Sequence, residues 1–276
     1  MFVFMTPAHP DANAVKKDLP FLTLTLVAVG LLTFSMLLII RYRINHAQIQ
    51  VYDGFESPLL SSDWSKRRMV ADAFRVQSNI VRAGHSAGEI TLHSGDRHEN
   101  ASDSGAASER DELMEQWWLF AHTQRTYRYS FSLYLPADFP VVPTRLVLAQ
   151  WKQLCEWRDC RPDNPVLALR YQNGELFVTR QDDHAKSILY STKQEMRGRW
   201  LDFRFEVRFS QDEDGSIDGW LNGAPIVHYK GPTTYQPQRG YPTHGYIYFK
   251  TGLYRDEMQQ PMTMYVDEYR KVELSR

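Results

Sequence analysis

Along most of the chain apolar and polar residues alternate one for one, and Gly, Pro, Asn or Asp interrupt the alternation at short intervals. A period of two belongs to a half-buried β-strand, whose successive side chains point to opposite faces. In YRYSFSLYLP, Tyr127, Tyr129, Phe131, Leu133 and Leu135 share one face, and Arg128, Ser130, Ser132 and Tyr134 the other. LDFRFEVRFS repeats this with Phe203, Phe205, Val207 and Phe209 against Arg204, Glu206 and Arg208. DEDGSIDGWLNGAPIVHYKG predicts two strands joined at Asn222-Gly223, a pair suited to the positive φ angles of a tight hairpin turn. The Ser-, Gly- and Asp-rich interval 94–111 reads as a long loop beside a cleft. Many antiparallel strands over about 220 residues predict one all-β domain of two packed sheets, spanning 51–276.

The exception to the alternation is FLTLTLVAVGLLTFSMLLII, Phe21 to Ile40, 20 residues without a charge. At ~1.5 Å per residue, a helix of this length crosses a ~30 Å hydrocarbon core. The following IIRYRINHAQ offers no small-residue cleavage site, so the segment reads as an uncleaved single-pass signal-anchor, with a cleaved signal as the alternative. The expected organisation is a cytoplasmic tail (1–20), a transmembrane helix (21–40), a linker (41–50) and the sandwich. Lys16 and Lys17 before the span balance Arg41 and Arg43 after it, so charge does not set the orientation.

A net charge of -1 and the lack of a Lys/Arg-rich run argue against nucleic acid as a partner. Aromatics make up 13%, with 15 Tyr and 7 Trp, which suits a β-rich protein that handles sugars and equally suits any β-sheet. Cys155 and Cys160, the two cysteines, lie in the polar stretch QLCEWRDCRPDNP. Two ligands are too few for structural zinc. A small disulfide loop would place the domain in an oxidising space outside the cytoplasm; two free thiols are the other reading.

Three strand segments carry polar groups where a core strand would not. In LVLAQWK, Gln150 and Lys152 share a face opposite Ala149 and Trp151. In GYIYFK, Tyr246, Tyr248 and Lys250 share a face opposite Ile247 and Phe249, and in ERDEL, Arg110 and Glu112 lie opposite Asp111 and Leu113. RDEL resembles the R-(S/T)-E-(L/V) motif of jelly-roll polysaccharide lyases, AQWK their Q-x-H motif, and YFKTGLYR their Y-F-K-x-G-x-Y motif. With YRYSFSLYLPADFP, NPVLALRYQNGELFV, DGWLNGAPIV and MYVDEYRKVEL, the text from Tyr52 to Leu274 is similar to the heparin lyase I and glucuronan lyase branch, and also to family 7 alginate lyases.

The resemblance implies a concanavalin-like β-jelly-roll sandwich and β-elimination on a uronate-containing, acidic polysaccharide, glucuronan-like by preference. The C5 proton of a uronate becomes removable only when the neighbouring carboxylate is neutralised and the developing enolate stabilised. Arg110 and Gln150 match the neutralising positions, and Tyr254 matches the catalytic phenol that takes the proton and protonates O4. Lys250 would hold that phenol's phenolate, while Glu112, Tyr248, Arg255 and His244 would contact substrate. The usual histidine is replaced by Lys152, whose ordinary pKa of ~10.4 suits a second neutraliser, or a base only if burial lowers it. His85, His93 and His244, in nearby segments, are other candidates for the base, each otherwise a surface or loop histidine. No cofactor is implied for the chemistry. YDGFES and YVDEY resemble terminal strands that hold a structural calcium, through Glu56 and Asp267. Two competing readings remain at this point: a carbohydrate-binding sandwich without catalysis, and a hydrolase, for which no paired E-x-D-x-x-E motif is present.

Overall fold

The computed structural model describes residues 26, 29–36, 49–97, 108–155, 164–237 and 244–274. In chain order its strands are β1 (Gln50–Asp53), β2 (Trp64–Arg68), β3 (Phe74–Gln77), β4 (Ala87–Leu92), β5 (Ser108–Glu115), β6 (Ala121–His122), β7 (Thr126–Leu135) and β8 (Leu146–Gln153). They continue as β9 (Leu167–Gln172), β10 (Glu175–Gln181), β11 (Lys186–Thr192), β12 (Arg199–Arg208), β13 (Ser216–Leu221), β14 (Ala224–Lys230), β15 (Tyr246–Asp256) and β16 (Met262–Leu274). A 3-10 turn, Trp117–Leu119, sits between β5 and β6.

One sheet runs β14-β13-β12-β7-β16-β4-β3, with β1 paired to β16; the other runs β11-β10-β9-β8-β15-β5-β2, with β6 paired to β15. The ladders between these strands are antiparallel. The apolar alternation drives this stacking. Tyr127, Tyr129, Phe131, Leu133 and Leu135 of β7 are each at most 2% exposed, as are Phe203, Phe205 and Val207 of β12. They meet the inward residues of the other sheet: the Trp151 ring lies 5.1 Å from Phe205 and 5.0 Å from Phe249, and Phe131 lies 5.3 Å from Phe249. Asn222 and Gly223 both take positive φ, 49° and 81°, and close the β13–β14 hairpin.

One expectation changes here. β5 begins at Ser108, inside the interval 94–111 expected as loop. Its inward acids are accommodated because Glu109 and Glu115 find cationic partners and Asp111 a backbone N–H, as described below. Residues 29–36 are helical, yet among the described residues no helix is long and apolar enough to cross a membrane; the rest of 21–40, apart from Leu26, lies outside them. The sandwich itself is a compact unit, Ile49–Arg276.

Candidate active site

The middle of the second sheet is β8, β15 and β5 side by side. Register then decides which side chains meet, because directly opposed residues share a face. Lys250 lies between Gln150 and Met114, Tyr248 opposite Lys152, Gly252 opposite Glu112, and Tyr254 opposite Arg110. Seven residues singled out by their motifs, Arg110, Glu112, Gln150, Lys152, Tyr248, Lys250 and Tyr254, thus share one face of three adjacent strands. The pairing of β15 with β8 slips between Thr251 and Tyr254, a bulge centred on Gly252. Gly252 has φ +145°, and a Cβ there would lie 2.2 Å from the Asp111 carbonyl oxygen. Only glycine fits this approach.

Glu112 organises the floor. Its carboxylate accepts from Gln150 Nε2 at 2.5 Å and from Lys250 Nζ at 2.8 Å, with Arg110 Nε at 3.3 Å. Burial would raise the Glu112 pKa, but Lys250 and Arg110 outweigh it and hold the carboxyl below its usual range. Burial brings Lys250 down to about 7, against the pull of Glu112 and with the push of Arg110 and Lys152. Glu112 is 1% exposed and its oxygens are taken by these donors, so it holds Gln150 and Lys250 in place.

Tyr254 stands above this floor between two guanidiniums, Arg110 at 4.1 Å and Arg145 at 4.5 Å from the ring centroid. Such stacking is a cation–π arrangement on both sides of one phenol. Arg145 is tied to Asp256 at 2.7 Å. Burial would lower its pKa, but Asp256 and the Tyr254 hydroxyl raise it. Arg170, buried and donating to Thr179 Oγ1 at 3.0 Å, senses both Arg145 and Tyr254. The guanidiniums over the phenol ring are those of Arg110 and Arg145, while Lys250 donates to Glu112. Arg68, opposite Glu112 in register, extends the cationic face. A chain of net charge -1 thus concentrates Arg68, Arg110, Arg145, Lys152, Arg170 and Lys250 along one sheet face. Arg145, Arg170 and Arg68 were not legible as site residues. Arg170 alone left a signal, a charge inside the apolar run VLALRY.

The opposite face of β5 is also charged. Glu109 and Arg255, opposed in register and both 0% exposed, pair at 2.7 Å, and Arg255 also donates to the carbonyls of Gln260 and Met258. Glu115 pairs with Lys271 at 3.0 Å, both fully buried. Asp111 accepts from the Val70 amide at 2.8 Å. Burial pushes its carboxyl up to about 8, against that N–H and helped by Asp96 and Asp72. A carboxyl whose folded pKa exceeds its unfolded value of ~3.9 binds its proton more tightly when folded, so stability falls as pH rises from about 4 to about 8. Asp111→Asn keeps an oxygen for Val70 and removes this dependence. The expected result is a smaller loss of melting temperature between pH 5 and 9 than in the parent chain, and equal losses would refute the assignment.

Other expected residues lie elsewhere. Arg255 is 0% exposed and faces inward, so it is not a substrate contact: adjacent strand residues face opposite ways, and Glu109 supplies the charge that lets an arginine go inside. His244, His85 and His93 are exposed; His85 gives its backbone N–H to Glu56, and His93 lies 3.4 Å from Asp96. Glu56 and Asp267 clasp the 82–85 loop from two sides. Asp267 accepts from the amides of Arg82, Ala83 and Glu268, and Glu56 from His85. Calcium needs six to eight oxygen ligands, whereas these oxygens face N–H donors, and among the described residues no group of three acids, histidines or cysteines could hold a metal. The calcium expectation therefore does not fit. Cys155 is disulfide-bonded, and Cys160, the other cysteine, lies outside the described residues.

The solved endo-β-1,4-glucuronan lyase from the fungus Trichoderma reesei is similar, with a TM-score of 0.58 and 17% identity over 78% of this chain and 96% of that one. An alginate lyase of polysaccharide lyase family 7 has a TM-score of 0.52 and 16% identity over 75% of this chain and 85% of its own. A second family 7 alginate lyase gives 0.51 and 16% over 75% and 86%. At these identities the likeness shows the fold, a jelly-roll sandwich. No functionally curated protein matches the chain. The polysaccharide lyase family profile, however, matches residues 53–270, the greater part of the chain, and the protein belongs to the polysaccharide lyases.

Proposed function

We propose that the protein cleaves a glucuronate- or mannuronate-containing polysaccharide by β-elimination, with glucuronan the favoured polymer. The observation that carries this reading is Tyr254 held between Arg110 and Arg145 on the face that also bears Gln150 and Lys152. Arg110 and the second amide hydrogen of Gln150 neutralise the uronate carboxylate, with Lys152 adding positive charge. The Tyr254 oxygen takes the C5 proton, the C4–O4 bond breaks as the 4,5 double bond forms, and the same hydroxyl returns the proton to O4. Arg145 stabilises the negative charge on the phenol oxygen before the first transfer and after the second. One group can serve both steps only when H5 and O4 lie on the same side of the ring, as in glucuronate and mannuronate. The fold likeness to a glucuronan lyase supports the first of these. To test it, the full chain in mild detergent is incubated with glucuronan, alginate, hyaluronan and heparin. Growth of the ultraviolet absorbance of a 4,5-unsaturated uronate with glucuronan is expected, and retention of polymer without product on every substrate would refute catalysis.

The same proposal anchors the enzyme in a membrane through 21–40, with the sandwich in the periplasm or extracellular space, where such polymers lie. The uncharged run of 20 residues and the disulfide-bonded Cys155 support it. The chain is expected to stay in the membrane fraction at alkaline pH and its sandwich to be cleaved by protease added outside intact cells. Release into the soluble fraction would exclude the anchor.

A further inference from the structure

A cavity of about 630 Å³ opens beside the candidate site, within the ~300–1,000 Å³ of ligand pockets, and no step of the elimination uses it. Its walls include Arg67, Arg68, Trp117, Phe120, Leu154 and Tyr248. Tyr248 belongs to the site face, and Arg68 stands opposite Glu112, so the cavity continues the cationic face. The Tyr248 and Phe120 rings lie 5.3 Å apart, and Trp117, 73% exposed, stands edge-on to the half-exposed Trp118 at 5.7 Å. Two adjacent tryptophans left in water on a short turn make an apolar platform that the fold does not use. The one carboxylate of the wall, Glu115, is matched by Lys271, which leaves the two arginines as the unbalanced charge of the cavity. An exposed indole beside guanidiniums suits a pyranose with a carboxylate: the ring stacks on the Trp117 indole while the arginine fork takes the two oxygens.

We propose that this cavity is a distal subsite that grips a uronate unit of the polymer away from the bond being broken. The proposal rests on the lyase reading above. Tyr248 is six residues before Tyr254 on β15, about 20 Å along a strand, so occupation of the subsite requires a chain of several sugars. Trp117→Ala and Arg67→Ala change exposed side chains outside the catalytic group, so the fold is expected to hold, with an unchanged melting temperature. On glucuronan polymer KM is expected to rise about tenfold in the double variant, with kcat within twofold. On the shortest cleavable oligomer, both constants are expected to be unchanged. An unchanged KM on polymer, or an equal rise on polymer and oligomer, would overturn the subsite and leave the lyase reading intact.

Affinity electrophoresis through glucuronan, in the Tyr254→Phe background, separates the two ideas. Loss of retardation on Trp117→Ala supports the subsite even if the parent chain yields no unsaturated product, in which case the lyase reading alone fails. Retained retardation overturns the subsite. So does a Trp117→Ala defect confined to binding of phosphatidylcholine–phosphatidylglycerol vesicles, since the platform would then face lipid.

Discussion

Tyr254→Phe is expected to lower kcat on the susceptible polymer by about 10³-fold or more, since removal of a positioned acid–base group costs ~10²–10⁴ and this one serves two transfers. KM is expected to change little. The ring that Arg110 and Arg145 sandwich survives in phenylalanine, so the cationic walls keep their positions. Melting temperature should also hold, because only the hydroxyl is lost. The split between kcat and KM is the informative readout: an interaction made only in the transition state lowers kcat and kcat/KM together. A variant that keeps more than a tenth of the parent's kcat would show that another group takes the C5 proton, and Lys152, the cation opposite Tyr248, would be next to test.

Glu115→Ala is expected to be the most destabilising single change, by about 3–5 kcal/mol, because it strands a buried ammonium. Lys271 is 0% exposed; burial already pulls its pKa down, and Glu115 is what resists this. Glu115 also accepts from the Tyr269 hydroxyl and from the Phe249 amide at 3.1 Å, so the truncation leaves several donors without an acceptor. For a domain of this size the loss corresponds to roughly 10 °C in melting temperature. Glu115→Leu combined with Lys271→Met replaces the pair by apolar side chains and should recover much of the loss, as expected where desolvation offsets attraction. Urea unfolding of the two singles and the double would measure the coupling, and a double variant as unstable as the sum of the singles would disprove it.

The apolar alternation of β7 and β12 made the sandwich legible, because a buried face leaves a period of two in any chain that folds this way. The site was legible where residues of one strand share a face, as Gln150 with Lys152 and Tyr248 with Lys250. It was not legible where the partner comes from a distant strand end. Arg145 precedes β8 and reaches Tyr254 only through the antiparallel register, which no local pattern records. Arg255 shows the opposite difficulty. It adjoins Tyr254 in sequence and looks like the same surface, yet one residue of β-strand reverses direction, and only Glu109 across the ladder explains its burial.

The two-sided charge of β5 carries a consequence for alignment of the sheet. Most strands are held in register by keeping grease inside and polar groups outside. In SERDELME that cue is nearly missing, since one leucine and one methionine are its apolar residues. The strand is instead keyed by ions. A shift of one position would turn Glu109, Asp111 and Glu115 outward and push Arg110 toward Arg255, stacking like charges in a dry interior. The neighbours of Tyr254 are thus indexed from behind, by ion pairs that never meet the sugar.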